Sequence, residues 1–197
     1  MSKSVEAPMA QGQVTRQRLL DAAAALIGEV GWNAVTTRMA AERAGVRSGV
    51  VHYHFASVDD LLVAASLGVA GALLRSVSDE LAGHDDPGEA VDWLLAELGR
   101  YGPADPASLL MVEMYLAATR MPELREQLGD MVLEFRRVVA GWLRERGFPG
   151  DADAAAVLLA AVIDGLMLHR GLDPRLDLTA VGAPLRALFG KDDTEEA

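Results

Sequence analysis

The chain has 197 residues and a net charge of −11, with 51% hydrophobic and 24% charged residues. This is the profile of a soluble globular protein with one or two domains. It contains no cysteine, which excludes disulfides and thiolate zinc sites and favours a cytoplasmic location. The longest apolar run, residues 154–163, is about half of the ~20 residues that cross a membrane. Residues 1–13 lack the apolar block of a secretory signal, so no membrane partner is expected.

Helical spacing of apolar residues runs through almost the whole chain, without a strand pattern of any length. Thr36 lies at the N-cap position of the predicted helix 37–44. Gly45 follows that helix and is the residue type that ends a helix in the left-handed conformation. The spacing predicts an all-α protein, flanked by disordered tails at residues 1–13 and 191–197. The predicted helices are 14–30, 37–44, 48–54, 58–81, 87–101, 106–120, 122–146, 152–170 and 178–189.

Residues 37–54 are predicted to form two short helices joined by a glycine turn, which is the helix-turn-helix plan. The second helix of such a unit presents its first residues to base edges in the major groove. Arg47 and Ser48 begin this helix, where free amides attract a phosphate. Gly49 allows the backbone to approach the duplex, and Val50 can touch a thymine methyl group.

The stretch His52-Tyr53-His54 follows in the same helix. Imidazole and phenol are stiff donors that suit DNA phosphates, while Val51 and Phe55 are four residues apart and are expected to face the core. Positions i and i+2 of a helix diverge by about 200°, so the two histidines are not expected to share a metal ion. His54 is expected to pack beside Phe55 and not to contact DNA.

Charge is distributed unevenly along the chain. Residues 1–60 carry six Lys/Arg and six Asp/Glu, whereas residues 61–197 carry twelve and twenty-three. A neutral first segment can hold phosphates, and an acidic remainder would face away from DNA.

Two acidic stretches resemble catalytic or metal sites but have simpler interpretations. His84-Asp85-Asp86 is similar to the paired ligands of all-α metal phosphohydrolases, yet it precedes Pro87-Gly88 and is expected to be a solvated loop. Asp151 and Asp153 open a helix, where capping explains them. No catalytic constellation, metal site or cofactor is predicted, and the chain is not expected to be an enzyme.

Residues 16–62 resemble the DNA-binding domain of TetR-family transcriptional regulators. The shared landmarks lie at matching positions over nearly fifty residues: Gly31-Trp32, Thr36, Arg38, Ala41-Glu42, Ala44-Gly45-Val46, Gly49, His54-Phe55, Ser57 and Leu61-Leu62. The resemblance implies a helix-turn-helix domain at residues 14–57, followed by a ligand-binding and dimerisation domain at residues 58–190. It also implies a homodimeric repressor that binds a palindromic double-stranded DNA operator and is released by a small-molecule effector.

Carried over to this sequence, the resemblance places Thr36 and Arg38 against phosphates and makes the segment from Arg47 to His54 the recognition helix. The expected DNA-binding residues are Thr36, Thr37, Arg38, Arg47, Ser48, Gly49, Val50, His52 and Tyr53. Three positions depart from the family pattern, since Arg47, His52 and Val58 stand where serine, tyrosine and lysine are usual.

Residues 154–168 are apolar on almost every side of the predicted helix, so one side is expected to meet the protomer core and the other a partner subunit. A stripe on the last helix points to the same junction. The two helices together would form a four-helix bundle with their copies across a twofold axis. The expected interface residues are Leu158, Ala161, Val162, Gly165, Leu168, Leu178, Val181, Leu185 and Leu188. The alternative is that both helices belong to a larger monomer core.

A ligand cavity in this class would lie among the middle helices, with Met and aromatic side chains as an adaptable lining and a few polar groups. The candidate residues are Trp93, Glu97, Met111, Met114, Tyr115, Phe135, Asp164, Met167 and His169. The alternative is that this stripe is plain core. Glu113 and Arg120 are interpreted as no more than a surface pair.

Two other functions remain open from the residues alone. One is a DNA-binding protein that is controlled by a protein partner, and the other is an all-α hydrolase that uses His84 and the acids near it.

Overall fold

The computed structural model describes the backbone of residues 6–102 and 104–189, with side chains from residue 11 onward in those ranges. These residues contain nine α-helices, one 3-10 turn at Trp32–Ala34 and no strand. The predicted all-α fold is confirmed, and the second and third helices have their predicted bounds. The helices are α1 (Glu6–Val30), α2 (Thr37–Ala44), α3 (Ser48–His54), α4 (Val58–Ala82), α5 (Pro87–Arg100), α6 (Pro106–Ala118), α7 (Pro122–Glu145), α8 (Ala152–Leu172) and α9 (Thr179–Phe189).

Helix α1 begins at Glu6 and not at Val14, so residues 6–13 of the expected disordered tail are helical. Apolar periodicity is absent there, but adding residues to an existing helix costs little compared with nucleating one. Pro8 stands in the first turn, where its missing N–H removes no helical hydrogen bond. The remaining tail residues, 1–5 and 191–197, lie outside the described residues.

Contacts divide the chain into two compact units. The first, termed the head, contains residues up to 70 together with 109–125; the second, termed the body, contains residues 71–108 and the chain from 126 onward. The division falls within α4, whereas the sequence predicts a domain boundary at residue 58. The difference arises because the first half of α4 and most of α6 pack with the three amino-terminal helices.

The head core is built on one face of α1, where Leu19, Ala23 and Ile27 are fully buried. Helix α1 packs on α2, and α2 packs on α3. Val51 and Phe55 are buried as predicted, which turns the opposite side of α3 to solvent.

Local signals explain where the two short helices begin and end. The Thr36 hydroxyl oxygen accepts a hydrogen bond from the Met39 amide at 3.3 Å, capping α2. Gly45 has φ +67°, and the following Val46 N–H donates to the Ala41 carbonyl at 2.9 Å. This is the glycine-dependent helix end that the sequence predicts.

The body core gathers apolar side chains from α5, α7, α8 and α9. Leu94 and Leu98 of α5 meet Val139 and Leu143 of α7 in one buried cluster. Helix α5 begins with Pro87 after the Asp86 cap, whose carboxylate accepts the Gly88 and Glu89 amides at 2.7 and 3.0 Å. Asp151 caps α8 in the same way, so the acids at these positions serve the helix ends.

One arginine ties the end of α4 to the end of α7 within the body. The guanidinium of Arg146 donates to the Ala82 carbonyl at 2.9 Å and also to the His84 carbonyl. It lies over the Trp142 ring, 5.0 Å from its centroid, and the Trp142 indole N–H donates to the same His84 carbonyl at 3.2 Å. These contacts satisfy backbone carbonyls that a helix end leaves without partners.

By length and composition alone, α4 and α8 would each be able to cross a membrane. In this fold they contribute to the two cores instead: Leu61 and Leu62 of α4 are buried in the head, and Ala156 and Leu159 of α8 are buried in the body. Core helices of soluble proteins satisfy the same criterion.

Candidate DNA-reading head and ligand-binding body

Helix α3 presents a polar row to solvent. Arg47, Ser48, Gly49, His52 and Tyr53 are exposed, and Tyr53 is 84% exposed. A tyrosine that is exposed to this extent contributes little to packing, so its ring is available to a partner. Val50, which is also predicted to contact DNA from the start of α3, is partly buried.

The start of α2 supplies the second predicted contact group. Arg38 is exposed and Thr37 is partly buried. The Thr36 hydroxyl is exposed and uses its oxygen to cap the helix, which leaves its hydrogen able to donate to a phosphate.

The two histidines of the His-Tyr-His stretch have different surroundings. His52 is exposed, whereas His54 is partly buried and lies against Tyr53 and Phe55 with ring centroids 5.0 and 6.4 Å away. The Arg16 guanidinium lies over the Phe55 ring, 5.1 Å from the ring centroid. His54 is therefore a packing residue at the end of α3. In the described ranges no three His, Asp or Glu side chains come together to hold a metal ion.

An ion pair fastens α1 to α2 beside this surface. Arg43 donates two hydrogen bonds to the Glu29 carboxylate, at 2.6 and 2.8 Å. These bonds and the charge of Arg43 lower the pKa of Glu29, and the same pair raises the pKa of Arg43. Because both side chains are solvent-exposed, the contribution to stability is small.

A contact that the sequence did not predict ties α6 to the α1–α2 connection within the head. The Glu113 carboxylate accepts a hydrogen bond from the Trp32 backbone N–H at 2.8 Å. The expected surface pair of Glu113 with Arg120 is not among the ion pairs of the described residues. Nothing in residue spacing signals a contact between positions 81 apart.

Between α4 and α7 of the body lies a cavity of about 410 Å³. Leu74, Met131 and Phe135 give it apolar walls, and its polar lining includes the acidic residues Asp79, Asp130 and Glu134 as well as Arg75 and Ser78. Phe135 is a predicted ligand-binding residue. The other lining residues were not among the predicted ones, because residue spacing shows which side chains share a helix face, but not which neighbouring helix that face meets.

A second cavity in the body, of about 580 Å³, lies between α5 and the segment from the end of α8 to α9. Its two arginines already have partners: Arg170 donates to the Leu98 carbonyl at 2.7 Å, and Arg186 pairs with Asp92. Thr179 donates from its amide and hydroxyl to the Asp177 carboxylate, which lowers the pKa of that group.

The remaining predicted ligand-binding residues are divided between the units. Met111, Met114 and Tyr115 belong to the head, where Met114 is fully buried in the core. In the body, Trp93 packs beside the His84 ring, Glu97 pairs with Arg100 at 2.8 Å, and Met167 packs on the core. Asp164 and His169 are exposed.

The residues of the His84-Asp85-Asp86 stretch do not converge on a common point. His84 packs on Trp93 with ring centroids 5.8 Å apart, Asp86 caps α5, and Asp85 is exposed. The stretch serves the α4–α5 connection, as the simpler interpretation expects.

The two final helices carry an unusually apolar exposed surface, termed the α8–α9 face. Among the predicted interface residues, Leu158, Leu168 and Leu188 are 43, 47 and 54% exposed, Ala161 is exposed, and Val162, Gly165 and Val181 are partly buried. Leu178 and Leu185, also predicted at the interface, are 8 and 5% exposed and belong to the core of their own chain, so they offer little surface to a partner subunit. Leu185 lies on the face of α9 that turns to the body core, and Leu178 packs on the same core from the position just before α9.

Two family models match this chain. Residues 19–65 match the model described as bacterial regulatory proteins of the tetR family. Residues 85–191 match the model described as the tetracyclin repressor-like C-terminal domain. The first matched segment extends past the predicted domain boundary at residue 58, and the second lies beyond that boundary.

The similar curated proteins include the HTH-type transcriptional regulator BetI of Rhizobium meliloti, which is 31% identical over 162 residues, 81% of this chain and 79% of that protein. BetI of Escherichia coli K12 is 31% identical over 187 residues, 88% of this chain and 91% of that protein.

Solved structures share the whole fold. A transcriptional regulator of Streptomyces coelicolor is 31% identical with a TM-score of 0.69, covering 90% of this chain and 99% of that one. A regulator from Saccharomonospora viridis in complex with choline is 25% identical with a TM-score of 0.72, covering 88% of this chain and 94% of that one. With the helix-turn-helix geometry of the head, these matches show that the chain belongs to the TetR family of DNA-binding transcriptional regulators and is not an enzyme.

Proposed function

We propose that this protein is a homodimeric repressor that binds a palindromic operator through α3 and is released by a small-molecule effector. The observation that carries the proposal is the exposed row of Arg47, Ser48, Gly49, His52 and Tyr53 on a helix whose other side, at Val51, is buried. A helix that is anchored on one side and polar on the other can enter the major groove without rearranging the core.

The residues divide into two roles at the operator. Arg47, Ser48, Gly49 and Val50 in the first turn of α3 approach base edges, while Thr36, Thr37 and Arg38 hold phosphates at the start of α2. His52 and Tyr53 add phosphate contacts from the exposed side of α3. Phosphate contacts position the protein, and base contacts select the sequence.

A second copy of the chain is the expected occupant of the α8–α9 face. Leu158, Leu168 and Leu188 are 43, 47 and 54% exposed on these two helices, and large apolar side chains gathered at a surface mark interaction sites. A twofold dimer also matches a palindrome, since half-sites lie ~34–36 Å apart, about one helical turn of DNA.

The α4–α7 cavity is the proposed effector site. Its apolar walls can bury a small molecule, and its ionisable lining can orient one. The S. viridis regulator was solved with choline. Glu134 of the cavity is paired with Arg137, and the other two carboxylates, Asp79 and Asp130, outnumber the one guanidinium of the lining, which favours a cation. Choline is therefore the first compound to test. A regulator of chromosomal DNA works in the cytoplasm, which agrees with the absence of cysteine.

The proposal is tested by selecting bound fragments from a random duplex library. Wild-type protein is expected to enrich a palindrome, and Tyr53→Ala is expected to bind that palindrome roughly 10-fold more weakly, because removing a phosphate contact costs on the order of 1–2 kcal/mol. Tyr53→Phe separates the hydroxyl from the ring, and Leu133→Ala is the control for an exposed residue elsewhere.

Failure of the wild type to enrich any sequence at low salt would overturn the proposal. Enrichment of a single half-site without symmetry would retain DNA binding but reject the twofold dimer.

A further inference from the structure

Helix α6 contains a single charged residue, Glu113, in an otherwise uncharged and largely apolar sequence. Its neighbours Leu110, Met114 and Ala117 are buried in the head, and Glu113 itself is partly buried. A carboxylate in such surroundings needs a hydrogen-bond partner to offset its lost hydration. The partner is the Trp32 backbone N–H, at 2.8 Å.

The accepted N–H belongs to the first residue of the 3-10 turn that joins α1 to α2. This turn has no cap of its own, because the residue before it is Gly31, which has no side chain to accept a hydrogen bond. The Glu113 carboxylate lies close enough that a Cβ on Gly31 would be 3.5 Å from its oxygen. Glu113 therefore supplies from another helix the acceptor that the α1–α2 connection lacks.

The position of this turn determines the position of the predicted DNA contacts at the start of α2. The Trp32 side chain is buried in the head core, and its carbonyl accepts the Val35 amide at 3.4 Å. Thr36, the cap of α2 and a proposed phosphate contact, is the next residue. A shift of Trp32 would consequently move the start of α2.

We propose that Glu113 is a positioning residue through which α6 holds the α1–α2 turn in the geometry that DNA binding requires. The bond has the length of a charge-assisted hydrogen bond and weakens steeply with misalignment. A movement of α6 by about 1 Å would therefore release the turn. Residues 106–108 of the same helix belong to the body. The DNA part of this inference depends on the proposed function.

A cavity of about 180 Å³ beside the contact is lined by Trp32, Asn33, Glu113 and Arg120, among others. It gives the Glu113 side chain room to leave the Trp32 amide without opening the head core. The contact can thus break while the rest of the unit stays folded.

The test compares Glu113→Ala with Glu113→Gln, in which an amide oxygen can still accept the Trp32 N–H. Hydrogen exchange of the Trp32 amide is measured by NMR on the full-length protein, together with its heat-unfolding midpoint. Affinity is measured for the palindromic duplex selected by the wild type. Glu126→Ala, an exposed carboxylate on α7, is the control for loss of one negative charge.

In Glu113→Ala, exchange at Trp32 is expected to become roughly 10- to 100-fold faster, as for loss of a hydrogen bond to a charged group. Duplex affinity is expected to fall about 10-fold, although removing a negative charge would by itself strengthen DNA binding. Glu113→Gln is expected to restore most of the slow exchange at Trp32 and most of the duplex affinity. Glu126→Ala is expected to change neither the exchange nor the unfolding midpoint.

Unchanged exchange in Glu113→Ala would overturn the inference, and so would faster exchange with undiminished duplex affinity. Failure of Glu113→Gln to rescue affinity would also reject the hydrogen bond as the cause. If the wild type selects no duplex, the proposed function fails, while the exchange rates still decide whether Glu113 holds the turn.

Discussion

Two glycines near the recognition helix have opposite structural requirements. Gly45 adopts φ +67°, where other residues are strained, and an added Cβ would lie 2.8 Å from the Arg18 guanidinium. Gly49 lies inside α3 with an ordinary φ, and an added Cβ there would meet no atom within 4 Å. The fold therefore requires a glycine at position 45 but not at position 49, and the proposed close approach of α3 to DNA would account for the second glycine.

We expect Gly45→Ala to lower the free energy of unfolding by about 1–2 kcal/mol, because the left-handed conformation strains a Cβ. Gly49→Ala should instead raise stability by about 0.5–1 kcal/mol, since alanine is the better helix former, while weakening operator binding several-fold. Urea unfolding and duplex titration of both variants check this pair. Operator affinity that is unchanged in Gly49→Ala would remove Gly49 from the DNA contacts.

At the scale of secondary-structure elements, helix ends explain several residues that resemble functional ones. Asp86 and Asp151 cap α5 and α8, and Arg146 binds the carbonyls at the end of α4. The sequence predicts the role of such a residue only when the residue caps its own helix. The Arg146 contact joins residues more than sixty positions apart, which residue spacing cannot show.

We expect Arg146→Ala to destabilise the body by about 2 kcal/mol, because it removes a partly buried cation–π contact and the hydrogen bonds to the Ala82 and His84 carbonyls, of which only His84 keeps a side-chain donor, Trp142. Arg146→Lys should recover less than half of this, since an ammonium lacks the planar fork that reaches both carbonyls. Arg144→Ala, at an exposed pair with Asp153, is the matched control and should change stability by less than about 0.5 kcal/mol. Equal unfolding midpoints for the Arg146 and Arg144 variants would contradict this account.

For the molecule as a whole, the open question is what covers the α8–α9 face. Leu168 lies in the carboxyl-terminal part of α8 and is 47% exposed, whereas Leu133 on α7 is 61% exposed but outside this face. The two leucines therefore separate loss of an interface from a general effect of a new surface charge.

We expect Leu168→Glu to raise the dimer dissociation constant roughly 100-fold, corresponding to about 3 kcal/mol for an unpaired carboxylate buried between subunits. Leu133→Glu should leave the dimer intact. Sedimentation equilibrium of both variants measures the change, and affinity for the full palindrome should fall only in the first. A dimer that survives Leu168→Glu would place the interface elsewhere.

Prediction from sequence succeeded where a feature depends on residues within a few positions of one another. The bounds of α2 and α3 followed from Thr36 and Gly45, and the inward positions of Val51 and Phe55 followed from their spacing. It did not show that Leu178, just before α9, and Leu185 within α9 pack on the core of their own chain. Spacing identifies which residues share a face, whereas packing decides what that face contacts.

The sequence by itself determined the helical fold, the helix-turn-helix and the family, because caps, glycines and apolar periods act over a few residues and survive in any context. Only the tertiary structure decided that the first half of α4 and most of α6 pack with the head, that Glu113 holds the Trp32 amide, and that a cavity lies between α4 and α7. These features depend on side chains brought together from distant positions, and their free energy arises only when the packed helices exclude water between them.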